Sequence, residues 1–146
     1  MARQINDAGL QLIASSEGLR LSAYQDVAGI WTIGYGHIRG VGRGMTITED
    51  QAMAFLREDL GQAEAAVDAA TSSVETDDNQ FAAMVSLCFN IGSGNFRTSS
   101  VLRQHLAGNP AADAFLMWDK AHVDGGLQVV QGLLNRRQRE RELYLA

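Results

Sequence analysis

Glu17-Gly18-Leu19-Arg20-Leu21-Ser22-Ala23-Tyr24-Gln25-Asp26-Val27-Ala28-Gly29-Ile30-Trp31-Thr32-Ile33-Gly34-Tyr35-Gly36-His37 is the stretch whose reading decides the fold. Tyr24, Val27, Ile30, Trp31, Thr32, Ile33 and Tyr35 favour extended backbone, and Ala28-Gly29 interrupts them, so residues 19–37 predict a small hairpin or three-stranded sheet. Everything around it reads as helix. Upstream, Leu10, Ile13 and Ala14 at helical spacing behind Asn6 or Asp7 predict a helix over 7–17 that Gly18 ends. Downstream, Thr48 opens a capping box with Gln51, and Ala52, Phe55, Leu56, Leu60, Ala63, Val67 and Ala70 mark one face of a long linking helix over 48–71.

From Asp77 onward the pattern stays helical. Phe81, Met84, Val85, Cys88 and Phe89 share a face that stops near Gly92, and Ser99 or Ser100 caps Val101–Ala107. Asn109-Pro110 opens a further helix carrying Phe115, Leu116 and Trp118, Gly125-Gly126 breaks the chain, and Leu133–Leu145 closes it. The class is α+β, mostly helical, with a β lobe over 18–47 between a helix over 1–17 and a helical lobe over 77–146.

Composition narrows the partners. The chain has 146 residues, 46% apolar and 20% charged, which describes one compact domain. Seventeen acids against twelve bases leave a net charge of −5, which argues against a dedicated nucleic-acid binder. Cys88 is the only cysteine, so no intrachain disulfide forms. Met1-Ala2-Arg3-Gln4-Ile5-Asn6-Asp7 has no apolar run behind its basic residue and does not read as a secretory signal, and no stretch has the length of a membrane span.

Glu17 sits at the inner end of an apolar helical stripe, where an unpaired charge is costly to bury. Asp26 lies in the Gly-containing hairpin, and a tight turn at Gly18 sets the two carboxylates across a cleft. Two carboxylates in unlike surroundings suit glycosidic bond cleavage: an acid for the leaving oxygen, and an ionised partner that activates water or attacks the sugar. A turn centred on Gly29 sets Asp26 directly opposite Thr32, and a carboxylate beside a hydroxyl can share one water molecule.

Glu17, then eight residues, Asp26, then five, Thr32, followed by Ile33-Gly34-Tyr35-Gly36-His37, resembles the catalytic stretch of the bacteriophage lysozymes of glycoside hydrolase family 24. Two further blocks agree: Phe89-Asn90-Ile91-Gly92 with Gly94, Phe96, Ser99 and Leu102, and Gly132-Leu133-Leu134-Asn135-Arg136-Arg137 with Glu140-Arg141, Leu143 and Leu145. The resemblance implies a two-lobed lysozyme fold and hydrolysis of the β-1,4 bond between N-acetylmuramic acid and N-acetylglucosamine in peptidoglycan, and the chain itself reads as a single catalytic domain over 1–146 with no separate wall-binding domain. It further implies that Glu17 is the general acid, that Asp26 and Thr32 hold the attacking water, and that Asn90 contacts sugar. It brings Arg136, or else Arg137 or Arg139, toward Glu17. It also implies a monomer that waits in the host cytoplasm for a holin-type permeabilising partner and then acts in the periplasm and wall. A lytic transglycosylase and a non-catalytic wall-binding domain are the competing readings, and the full set of Glu17, Asp26 and Thr32 argues against both.

Other residues carry plainer readings. His37, His105 and His122 lack metal-ligand spacing, so no metal and no cofactor is expected, and His37 reads as a hydrogen-bonded structural residue. Gly34, Gly36, Gly40, Gly42 and Gly44 read as a mobile loop beside the cleft, not a phosphate cradle. Arg136, Arg137, Arg139 and Arg141, interleaved with Glu140 and Glu142, read as a solvated, salt-bridged helix face. Trp31, Trp118 and Cys88 read as core.

Overall fold

The computed structural model describes residues 3–123 and 126–146. The chain divides into two compact units, Ile13–Gly61 and, joined with the chain up to Leu12, Gln62–Ala146. Among the described residues no helix is long and apolar enough to cross a membrane.

Helix α1, Asp7–Glu17, begins where the Asn6 side chain accepts from the Gly9 amide at 3.0 Å and ends at Gly18, whose φ of +76° lets its N–H close on the Ala14 carbonyl. Leu10, Leu12, Ile13 and Ala14 are buried, whereas Glu17 is exposed. The apolar stripe therefore stops before Glu17, because the helix ends there and the left-handed glycine turns the chain away.

In the unit Ile13–Gly61, strands β1, Arg20–Gln25, and β2, Trp31–Gly34, form an antiparallel hairpin. The free edge of β1 is held by the segment around Met45–Ile47, through Ala23 N–H to the Met45 carbonyl and Ile47 N–H to the Leu21 carbonyl. Helix α2, Glu49–Asp59, starts at the expected capping box of Thr48 and Gln51. It packs close to β2: a Cβ on Gly34 would stand 3.3 Å from the Ala52 methyl. His37 stacks on Phe55 of this helix, ring centroids 4.1 Å apart, and its Nδ1 lies 2.8 Å from Asp59 Oδ2, which matches its structural reading.

The long helix expected over 48–71 is two helices. Helix α2 stops at Leu60, and α3, Gly61–Ala70, begins anew. Glycine is a weak helix former, so Gly61 lowers the cost of the break.

In the other unit, α4, Asp78–Ile91, is buried without interruption from Phe81 to Cys88 and forms its centre. It is followed by α5, Ser93–Arg97, and α6, Ser100–Leu106, the latter capped by Ser99. Asn109-Pro110 leads into a short 3-10 helix, Ala112–Met117, rather than an α-helix. Strands β3, Lys120–Val123, and β4, Gly126–Val129, then pair as a second antiparallel hairpin, so the region beyond Asp77 is not wholly helical. The expected break at Gly125 lies outside the described residues. Helix α7, Gln131–Leu145, closes the chain against α4 and the 3-10 helix. Cys88 is buried, while Trp31 and Trp118 are only half-buried.

A buried polar chain joins three parts of this unit. Thr76 Oγ1 lies 2.8 Å from His105 Nε2, and His105 Nδ1 lies 2.6 Å from the Tyr144 hydroxyl. Burial pushes the His105 imidazole below its ordinary range, against an opposing pull from Asp77. The folded chain thus binds that proton less readily than the unfolded chain, so this contribution to stability is present above the ordinary imidazole range and fades as pH falls through it. The melting temperature should fall further between about pH 7.5 and about pH 5.5 for the parent than for His105→Gln. That variant should also be less stable by about 1–3 kcal/mol at the higher pH, having lost its buried partners. Parallel melting curves across the pH range would refute the role of His105.

Candidate active site

The β1–β2 hairpin turns on Asp26. Its backbone N–H donates to the Ile30 carbonyl at 2.9 Å, and its Oδ1 accepts from Ala28 N–H at 2.8 Å and Ile30 N–H at 2.9 Å. Gly29, at φ +80°, donates back to the Asp26 carbonyl at 2.9 Å. The loop is therefore Val27-Ala28-Gly29 with a left-handed glycine in its last position, and it is centred on Ala28.

This register corrects the sequence expectation. Thr32 faces Tyr24, and Gln25 faces Trp31, so Asp26 lies beside Ile30 and not directly opposite Thr32. Because side chains alternate along a strand, Asp26 and Thr32 still share one face, as diagonal neighbours. Asp26 is half-buried and Thr32 is 4% exposed. The Thr32 hydroxyl donates to the Ile30 carbonyl at 3.0 Å. Glu17 belongs to the same unit, and its Oε2 lies 3.7 Å from where a Cβ on Gly36 would stand. Gly36 has φ +88°, so the backbone beside Glu17 is both bare and in the left-handed region.

Asn90 and Arg136 belong to the other unit. Asn90 is exposed near the end of α4, and its Oδ1 accepts from Arg137 Nη1 at 2.9 Å. Arg136 is 4% exposed, with its Nη2 donating to the Ser86 carbonyl at 3.2 Å and its Nε 3.4 Å from Glu140 Oε2. The expected solvated arginine face is therefore overturned at three positions. Arg137 and Glu140 are each 0% exposed and lie 2.7 Å apart, Nε to Oε1, while the Ser86 hydroxyl donates to Glu140 Oε2 at 2.5 Å. Arg139 stays exposed, and Arg141 pairs with Asp113 at the surface.

Sequence reasoning missed Ser86, Arg137 and Glu140 as a group, although a signal was present. Leu133, Arg137, Glu140 and Tyr144 recur at helical spacing, which puts Arg137 and Glu140 on one stripe with two apolar-bodied neighbours. Burial pushes the Glu140 carboxyl above its ordinary range, while Arg137, Arg136 and the Ser86 hydroxyl pull it back.

A mostly helical α+β chain with an acid at a helix end, and a hairpin that closes on a carboxylate, has the form of a lysozyme-type glycoside hydrolase. Residues 14–140 match the family described as phage lysozyme. The chain is 44% identical over 142 residues to the endolysin of Acyrthosiphon pisum secondary endosymbiont phage 1, covering 96% of this chain and 97% of the relative. Its structure is similar to that of the endolysin from Escherichia coli O157:H7 phage FAHEc1, with TM-score 0.92, 42% identity, and 98% and 94% of the two chains covered. It is equally similar to the muramidase domain of SpmX from Asticaccaulis excentricus, with TM-score 0.92, 41% identity and 99% of each chain covered. The chain belongs to the phage lysozyme family. It is a muramidase-type hydrolase, a cell-wall-lytic endolysin.

Removing the buried anion should expose its structural role. Glu140→Gln keeps the side chain's size but removes the buried carboxylate that Arg136 and Arg137 both meet, so unfolding in urea should show a loss of about 3–5 kcal/mol. A change within about 0.5 kcal/mol, as at an ordinary surface site, would refute it.

Proposed function

We propose that the enzyme hydrolyses the β-1,4 bond between N-acetylmuramic acid and N-acetylglucosamine in peptidoglycan, with Glu17 as general acid and Asp26 and Thr32 holding the attacking water. The observation that carries this reading is the division of tasks within Asp26. Oδ1 is occupied by the N–H groups of Ala28 and Ile30, and among the described residues no group donates to Oδ2. The hairpin therefore fixes the carboxylate's orientation while one oxygen stays available.

Thr32 adds the second constraint. Its hydroxyl proton is committed to the Ile30 carbonyl, so toward a water it serves as an acceptor. A water donating one hydrogen to Asp26 Oδ2 and the other to Thr32 Oγ1 keeps a lone pair for the anomeric carbon. As that oxygen attacks, Asp26 takes the proton, the glycosidic C–O bond breaks, and Glu17 gives its proton to the leaving oxygen. Attack by water from the face opposite the leaving group inverts the anomeric centre. On this reading Asn90 contacts sugar, and the enzyme is monomeric. It resides in the host cytoplasm until a holin-type partner permeabilises the membrane, and then works in the periplasm and wall.

Glu17→Gln removes the proton donor at constant size, and its lytic rate on permeabilised Gram-negative cells should fall by at least ~10²–10⁴-fold with an unchanged melting temperature. Near-parental lysis would remove Glu17 from the role.

The anomer of the fresh product tests the water. Inversion is expected, with the Glu17 and Asp26 carboxyl groups roughly 6.5–9.5 Å apart in the substrate complex. Thr32→Val, which keeps the branched shape without the hydroxyl, should lower kcat more than it raises KM. Net retention would overturn the water-holding role, and anhydro-ended fragments, each lighter by one water, would identify a transglycosylase.

A further inference from the structure

Ile30 touches both polar groups of the first hairpin through its own backbone. Its N–H donates to Asp26 Oδ1 at 2.9 Å, and its carbonyl accepts from the Thr32 hydroxyl at 3.0 Å. The same carbonyl receives the Asp26 backbone N–H at 2.9 Å. The Ile30 side chain therefore stems from a backbone fixed between the two groups. Strand alternation puts it on the face that Asp26 and Thr32 share, since Ile30 lies beside Asp26 and Tyr24 faces Thr32. Four side chains thus mark the corners of one patch, with the polar pair on one diagonal and Ile30 and Tyr24 on the other.

The two diagonals differ in kind. Diagonal neighbours stand roughly 7–8 Å apart, too far for the short side chains of Asp26 and Thr32 to meet and a span that one water bridges. Tyr24 is half-buried, and the Arg20 guanidinium lies 4.4 Å from its ring centroid, which holds that corner in place. Ile30 is 46% exposed despite being large and apolar, so its side chain contributes little to the core.

We propose that Ile30 is a specificity-determining residue for the nucleophile: with Tyr24 across from it, its side chain walls the space between Asp26 Oδ2 and Thr32 Oγ1 to the width of one water. The inference rests on the water-holding reading above and deepens it. An apolar wall offers the held water no third partner, so its lone pair stays directed at the anomeric carbon. An alcohol carries the same attacking oxygen but has one hydrogen, so it can donate to one of the two acceptors only, and it needs room for its carbon. The polar pair withholds a hydrogen bond from it, and Ile30 withholds the room.

Methanol is the probe. Peptidoglycan is digested in buffer containing methanol, and the new ends are sorted by mass into free reducing ends and methyl glycosides. In methanolysis the methanol oxygen bonds to the anomeric carbon, its proton passes to Asp26, and the glycosidic C–O bond breaks as Glu17 protonates the leaving oxygen. The methyl fraction is a ratio of two products of one site, so it does not depend on how much of a variant is folded. Ile30→Ala should raise that fraction about tenfold or more over the parent, the worth of a small volume change in an apolar pocket. Its hydrolytic kcat should fall with little change in KM, because the held water acts in the transition state. Ile30→Val, one carbon smaller, should lie between Ile30→Ala and the parent. Val27→Ala, at the fully exposed loop residue next to Asp26, should match the parent.

An unchanged methyl fraction in Ile30→Ala overturns the proposal. So does an equal rise in Val27→Ala, which would mark general loosening of the hairpin. Failure of the underlying reading looks different: the parent alone, without methanol, would then yield ends of retained configuration or anhydro ends.

Discussion

The helical unit is organised around one carboxylate that has no access to water. Glu140 is 0% exposed and meets Arg136 and Arg137 of its own helix and the Ser86 hydroxyl of α4, so α7 is attached to α4 by hydrogen bonds from buried charged groups. Such a cluster adds little net stability, since withdrawing each ion from water costs several kcal/mol. Its effect is on register. A slide of α7 along α4 by one residue would part Glu140 and Arg136 from Ser86 and Arg137 from Asn90, leaving charged groups without their hydrogen-bond partners on α4, whereas an apolar seam would tolerate the shift far better.

The unit Ile13–Gly61 solves a different problem with the same economy of atoms. A hairpin this short is marginal on its own. Asp26 closes its loop with one carboxylate oxygen, the Met45–Ile47 segment occupies the outer edge of β1, and α2 covers β2 through the bare backbone of Gly34. The residue that stabilises the turn is the same one that offers an oxygen to solvent, so the carboxylate's aim is set by backbone geometry and not by a flexible side chain. Thr32 is constrained likewise, its proton held by the Ile30 carbonyl one residue beyond its strand neighbour.

The elements legible in the sequence were those with local signals. The capping box at Thr48 and Gln51, the Ser99 cap and the glycine stops at Gly18 and Gly92 act within one helical turn, and each stands where it reads. The β3–β4 hairpin was missed because its strands are short and carry little alternation, although Asp124-Gly125 in the sequence is a dipeptide favoured between paired strands. The spacing of Glu17, Asp26 and Thr32, the residues proposed above as catalytic, was legible. Their register was not, because whether a loop centres on Ala28 or Gly29 depends on which backbone groups Asp26 captures. The burial of Arg137 and Glu140 escaped because charge reads as surface unless its helical spacing beside Leu133 and Tyr144 is weighed first.

One topological feature bears on how the chain comes to be made. Residues up to Leu12 belong with Gln62–Ala146, while Ile13–Gly61 is continuous. Arg3 binds the Thr76 carbonyl and Asp78 and stacks over Phe81, so the first segment finds its partners only after the whole continuous unit has been synthesised. On the ribosome the Ile13–Gly61 unit has all its own residues early, and the helical unit must wait for α7, which comes last among its own elements. Until Glu140 emerges, the apolar length of α4 has no α7 to cover it, which makes the interval between synthesis of α4 and of α7 the point of greatest exposure to aggregation and to chaperones.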